Sequence, residues 1–163
     1  MTDHPATYTA APGKWAWIVD IDGTLALGHF GEPGRRGPFD WHRVSEDDPN
    51  MPVIHLVRAL GRAASLIFLS GRDESCRDDT LTWIRQHVAP RHSDGILHDA
   101  ADLHLLMRPA GDFRPDAQVK AQLFWEHIAP NWHVLGVIDD RNAVVDMWRG
   151  LGLMCAQVAP GNF

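Results

Sequence analysis

Lysine is nearly missing from this chain: Lys14 and Lys120 are the two present, and the other thirteen of the fifteen basic residues are arginines. Acidic residues outnumber basic ones by 21 to 15, and the net charge of −6 argues against a general affinity for nucleic-acid backbone. It leaves a nucleic-acid end open as a substrate, because charge can be local. Cysteine is equally scarce. Cys76 and Cys155 lie far apart and form no C-x-x-C pair, which excludes a thiolate metal site and predicts a reduced, cytoplasmic protein. No stretch approaches the ~20 apolar residues of a membrane span, so no membrane partner is expected. The opening MTDHPATYTAAPGK has no apolar core and is not a secretory signal. It reads as a flexible lead-in over residues 1–14, with 15–163 as one domain. The ten histidines include no H-x-x-x-H pair, and His98, Asp102 and His104 are scattered along the chain, which removes a histidine-based zinc site. There is no internal repeat and no low-complexity tract.

What is present is alternation. Five apolar runs have strand character: WAWIVD (15–20), SLIFLS (65–70), DLHLLM (102–107), HVLGVID (133–139) and LMCAQV (153–158). Between them lie segments of helical spacing at 52–63, 78–88, 116–128 and 141–152, with Asn50 or Met51 near the first cap, Pro52 in its first turn, and aspartates at the starts of the second and third. Strand–helix alternation predicts an α/β fold, a parallel sheet of about five strands with helices on both faces. Trp83, Trp125 and Trp148 fall on apolar helix faces and are expected in the core. The 26–52 segment, with HFGEPGRRGPFDW inside it, has no regular period. ArgHisSerAspGly, 91–95, reads as a second loop.

In such a sheet, ligands lie beyond the carboxyl ends of the strands. Those ends carry Asp20 and Asp22, then Ser70-Gly71-Arg72, then Arg108, then Asp139-Asp140-Arg141. Two close carboxylates cannot easily both be charged, so one of Asp20 and Asp22 should have a raised pKa, suiting an ionised nucleophile beside a protonated acid. Asp139 and Asp140 add hard oxygen donors, which favour Mg²⁺ over zinc. Lys120 and Arg72 could neutralise a phosphoryl group. Ser70 and Thr24 offer hydroxyls, while Gly23 and Gly71 let backbone amides approach. Asp116 and Asp140 could also serve as helix N-caps. Phe39 and Trp41 could stack on a base, although packing of their loop explains them too.

D-x-D-G-T at 20–24, S-G-R at 70–72, Lys120 and D-D-R at 139–141 resemble, in order and spacing, the four motifs of the haloacid dehalogenase-like phosphotransferases. RRGPFDW (35–41), LLMRPAGDFRPDAQVKAQLFWEHIAP (105–130) and IDDRNAVVDMWRGLGLMCAQVAPGNF (138–163) are similar to the 3′-phosphatase domain of bacteriophage polynucleotide kinase-phosphatase. The resemblance implies a Rossmannoid fold without a large cap domain and Mg²⁺-dependent removal of a 3′-phosphate from a nucleic-acid end or a nucleoside 3′-phosphate. It assigns Asp20 as nucleophile and Asp22 as general acid and base. It assigns the metal to Asp20, the Asp22 backbone carbonyl, Asp139 and Asp140. Substrate and phosphate contacts fall to Thr24, Arg36, Ser70, Gly71, Arg72, Arg108, Asp116 and Lys120, and more weakly Arg114. Arg36 is preferred over Arg35 because it directly precedes Gly-Pro. The phosphate-binding loop of the phage kinase, G-x-x-x-x-G-K-[ST], is not in this sequence, so no 5′-kinase activity follows from it, and a separate kinase or ligase is a candidate partner. The four motifs alone would equally suit a small-molecule nucleotidase, and the fold alone a non-catalytic end-binding module.

Overall fold

The structure, a computed structural model, describes residues 7–10, 12–88 and 103–161. The expected loop at 91–95, His98 and the first residue of the expected strand at 102–107 lie outside the described residues. Strands β1 (Lys14–Val19), β4 (Ser65–Asp73), β5 (His104–Arg108), β6 (Trp132–Arg141) and β7 (Cys155–Gly161) form one five-stranded sheet in the order β5-β4-β1-β6-β7. Every pairing is parallel. Helices α1 (Met51–Leu60) and α2 (Arg77–His87) cover one face. Helices α3 (Asp116–Leu123) and α4 (Asn142–Gly150) cover the other. The expected architecture is therefore present.

Period-two alternation along the strands makes this possible. Leu66 and Phe68 of β4 join Ile54, Val57, Trp83 and Ile84 in one core, while Ile67 and Leu69 join Val119, Phe124, Val144 and Trp148 in the other. Because both faces are buried, the strands read as continuous apolar runs. Trp83 and Trp148 are core, as expected, whereas Trp125 is half-buried.

Several boundaries differ from the sequence reading, each for a local reason. β4 and β6 run three and two residues past their expected ends, with register shifts between Ser70 and Asp73 and between Asp139 and Arg141. Bulges of this kind re-aim side chains, and here they fall at motif residues. The third helix divides into α3 and a π-helical turn at Phe124–Ile128, which keeps Phe124 and Ile128 buried. Its N-cap is Pro115, not Asp116, and the N-cap of α4 is Arg141, not Asp140. α2 starts one residue before the expected aspartate cap; Asp78 and Asp79 occupy its first turn, where their charge complements the helix dipole. The expected lead-in is fastened at Tyr8, whose hydroxyl donates to the Trp132 carbonyl (2.7 Å) and whose ring packs edge-on against Phe124.

The 26–50 segment folds small. A ribbon of β2 (Ala26–Leu27) and β3 (Asp48–Pro49) brackets a 3₁₀ turn, Trp41–Glu46. No large cap is built there, and among the described residues no helix is long and apolar enough to cross a membrane.

Both thiols are free and buried. Burial pushes Cys76 up, and burial with the nearby Asp139 carboxylate pushes Cys155 up to about 12. Since the thiolate is the reactive form, iodoacetamide at pH 8 is expected to label the native protein at least ~100-fold more slowly than the urea-unfolded chain. Mass spectrometry reads the two additions directly. Rapid labelling of the native protein would contradict the packing described here.

Candidate active site

The site begins where β1 ends. The Asp20 amide donates to the Ile138 carbonyl (3.0 Å), and the chain then turns so that the amides of Leu25 and Ala26 both donate to the Ile21 carbonyl (2.8 Å each). Gly23 has φ of 83°, and a Cβ there would overlap the Asp140 carboxylate. Glycine is required on both counts. The D-x-D-G-T string thus presses one acidic outlet, β1, against another, β6.

Asp20, Asp139 and Asp140 are buried, and one carboxylate oxygen from each lies within 4.8 Å of the others. Lys120, reaching across from α3, donates to Asp20 Oδ1 (2.6 Å) and Asp139 Oδ2 (3.0 Å). Burial works against the charge of this lysine. Asp116, Asp139 and Asp20 together outweigh burial and keep it an ammonium, with its pKa well above the ordinary value. One cation does not balance the cluster. Burial and the charges of Asp139 and Asp140 raise Asp20 despite Lys120, and burial with Asp139 pushes Asp140 up to about 6. Three hard oxygen donors, crowded and short of positive charge, fit a divalent cation such as Mg²⁺.

The Asp139 carboxylate is fixed from behind by its own strand: Oδ1 accepts from the amides of Asp140 (3.0 Å) and Arg141 (3.2 Å). Thr24 donates from its hydroxyl to Asp140 Oδ1 (3.3 Å) and is wholly buried. That bond fixes the orientation of the Asp140 carboxylate. Gln157 of β7 donates to the Asp140 carbonyl (2.8 Å) and to Asn142 Oδ1 (2.6 Å), tying the last strand to the acidic loop.

Asp22 faces a different environment. Arg72 donates Nε to its Oδ2 and Nη2 to its Oδ1 (2.9 Å each), and Arg36 Nη2 adds a third bond (2.7 Å). Burial would raise its pKa, but Arg72 and then Arg36 outweigh burial and hold it below the ordinary carboxylate value. Of the two neighbouring carboxylates Asp20 is raised and Asp22 lowered, the reverse of the expected ionised nucleophile beside a protonated acid. The reason is the two guanidinium groups on one and the acidic crowd around the other. Of the adjacent pair it is Arg36 that faces Asp22, while Arg35 turns away to Asp48 (2.5 Å).

Sequence reasoning missed Asp47. It is buried, and it accepts from Arg36 Nε (2.6 Å), Arg36 Nη2 (2.7 Å) and Arg72 Nη2 (2.7 Å). The indole of Trp83 holds its carbonyl (2.9 Å). Two arginines and two aspartates thereby form a closed, neutral quartet that aims Asp22.

Of the remaining expected residues, Ser70 is buried and accepts from the Arg72 amide (3.1 Å). A Cβ on Gly71 would overlap the Asp116 carboxylate. Asp116 gathers Arg108 (3.1 Å), Lys120 (3.5 Å) and Arg141 (3.7 Å). Arg108 also holds the carbonyls of Gly71, Asp112 and Arg114 (2.8, 3.1 and 2.7 Å), so it organises the 109–115 loop. Arg114 is ion-paired to Asp112 (2.5 Å) at the rim. The whole arrangement opens into a cleft of about 400 Å³ that has Asp20, Asp22, Lys120 and Asp140 in its lining and Phe30, Phe39, Trp41 and Phe113 around its mouth.

A family model for the polynucleotide kinase PNKP phosphatase domain matches residues 14–163. A protein of Autographa californica nuclear polyhedrosis virus, assigned as a bifunctional polynucleotide kinase/RNA ligase, is 34% identical over 139 residues, covering 83% of this chain and 18% of the viral protein. Two solved structures of Pnkp1/Rnl/Hen1 assemblies, one of them described as an RNA repair complex, are also 34% identical. They superpose with TM-scores of 0.80 and 0.78 over 99% and 98% of this chain, and over 52% and 48% of theirs. The chain therefore spans about half of each solved relative and under a fifth of the viral one.

Proposed function

Because this chain belongs to the polynucleotide kinase PNKP phosphatase-domain family of haloacid dehalogenase-like phosphatases, we propose that it removes the 3′-phosphate from nucleic-acid ends during end repair, through a single domain over residues 15–163. The observation that carries the reading is the pairing of two differently tuned aspartates, Asp20 against Lys120 and Asp22 against Arg72 and Arg36, at the floor of one cleft.

In this reading an Asp20 carboxylate oxygen attacks phosphorus, the bond from phosphorus to the sugar 3′-oxygen breaks, and Asp22 delivers a proton to that oxygen. Water then attacks the aspartyl-phosphate and gives its proton to Asp22, which frees the Asp20 carboxylate and inorganic phosphate. Arg72 and Arg36 keep Asp22 ionised before substrate arrives, ready for the second half. The dianionic phosphate entering beside it favours the protonated form needed for the first half. Lys120 and Ser70 hold phosphoryl oxygens as charge spreads over them. Asp20, Asp139 and Asp140, with the Asp22 backbone carbonyl, would hold Mg²⁺, which supplies charge neutralisation between nucleophile and phosphate. The names of the relatives support a kinase and a ligase as partners, on the same or another chain.

Phosphate release is to be measured from matched oligonucleotides phosphorylated at only the 3′ or only the 5′ end, with Mg²⁺ and with EDTA. Release from the 3′ end alone, lost in EDTA, is the expected result. Preference for the 5′ end would overturn the end assignment, and release unaffected by EDTA would overturn the metal assignment.

A further inference from the structure

The loop before Arg36 does more than carry that arginine to the site. Four acceptors fill the edge of its guanidinium: both carboxylate oxygens of Asp47, Oδ1 of Asp22 and the Gly37 carbonyl (3.3 Å). The flat face of the cation is left, and Phe30 takes it. Arg36 Cζ lies over the Phe30 ring, 4.9 Å from its centroid. The ring lines the cleft and is 41% exposed, whereas Arg36 is buried. The backbone is bent to put the ring there. Among the described residues His29 is the only non-glycine with a positive φ, 50°, a conformation that residues with a Cβ rarely adopt. Its ring nitrogens face Glu32 (3.4 Å) and Asp48 (3.5 Å), and its carbonyl accepts from the Glu32 amide (3.2 Å). On its other side a Cβ on Gly28 would overlap the Phe30 ring. A strained residue held between two acids, next to a glycine that makes room for the ring, serves no purpose if the phenylalanine is merely left half in water.

The chemistry of the pair says what the ring does. The negative face of an aromatic ring attracts a cation, most strongly where the cation has lost its water. Arg36 Nη2 in turn holds Asp22 (2.7 Å), the carboxylate that gives and takes the proton in the proposed reaction. Water reaching the guanidinium from the cleft would weaken that bond, because attraction between charges falls as the local dielectric rises. We propose that Phe30 is a positioning residue: its ring roofs Arg36 against cleft water and so holds Asp22 in line for proton transfer. The proposal rests on the 3′-phosphatase reading above. In this role the ring touches neither phosphate nor sugar, so its loss acts on the chemical step and not on substrate capture.

The test replaces Phe30 alone, by leucine (F30L) and by phenylalanines fluorinated at one and at three ring carbons, which keep the shape of the ring while draining its negative face. In the first arm, kcat for 3′-phosphate release is expected to fall stepwise with fluorination, to about a tenth of the wild-type value for the trifluorinated ring and for F30L, with KM unchanged. A purely packing role would leave the fluorinated series flat, so a flat series overturns the proposal. A rise in KM at constant kcat overturns it too, since that would place the ring on the substrate. The second arm needs no turnover. In protein labelled with ¹⁵N-arginine, the Arg36 Nε–H signal is identified by its absence from R36K. Its exchange with solvent is expected to be about tenfold faster in F30L than in the wild type. Equal exchange overturns the roof. Failure of the wild type to release any 3′-phosphate would instead overturn the phosphatase reading, and the exchange arm would still decide whether Phe30 shields Arg36.

Discussion

Asp20→Asn is expected to lower phosphate release by about 10⁴-fold or more while leaving the fold in place. The amide is nearly isosteric with the carboxylate, and its oxygen can still accept from Lys120, which keeps Asp139 (3.0 Å) and Asp116 (3.5 Å) as counter-charges. What is lost is the nucleophile: a neutral amide oxygen does not form the bond to phosphorus. Acid quenching of the wild type during turnover of labelled substrate should trap phosphate on the protein, and the variant should trap none. If Asp20→Asn retained a tenth of the wild-type rate, water would have to attack directly and Asp20 would be reduced to a metal ligand. Asp22→Asn separates the two halves further. It should slow release while leaving some trapped phosphate, because its role in the second half is to take the proton from water.

The second large effect is on stability. Asp47→Ala is expected to cost about 3–5 kcal/mol, because it leaves two buried guanidinium groups, Arg36 and Arg72, with one carboxylate between them. Urea unfolding measures it as a lower midpoint at unchanged slope. Asp47→Asn keeps shape and one acceptor oxygen but not the charge, so a loss nearly as large is expected if charge balance is what matters. A variant with Asp47→Ala at wild-type stability would show that the quartet is not a structural unit. Activity should fall with either change, since both arginines that aim Asp22 lose their second anchor.

Much of this was legible without coordinates. Strand–helix alternation revealed the sheet because a strand buried on both faces must be apolar along its length, as SLIFLS is. The ordered carboxylates, Lys120 and Arg72 could be placed at the site because parallel strands deliver their ends to one edge. Asp47 was not legible. It stands in Glu46-Asp47-Asp48, three acids in a row at the end of the 3₁₀ turn. Glu46 faces Arg43 at the surface (2.7 Å), Asp48 faces Arg35, and Asp47 alone turns inward. No periodicity marks which of the three does so. The partner of the Thr24 hydroxyl was not legible for a related reason: it is a carboxylate 116 residues away.

By itself the sequence determined the elements, their order and which charged groups gather at one edge of the sheet, all of which rest on local pattern or on motif. Only the tertiary structure decided how those groups are charged. Asp20 and Asp22 are two residues apart, yet one meets a lysine 100 residues away amid other carboxylates and the other an arginine 50 residues away. Electrostatic energy depends on distance and burial, and neither is written in the order of residues along a chain.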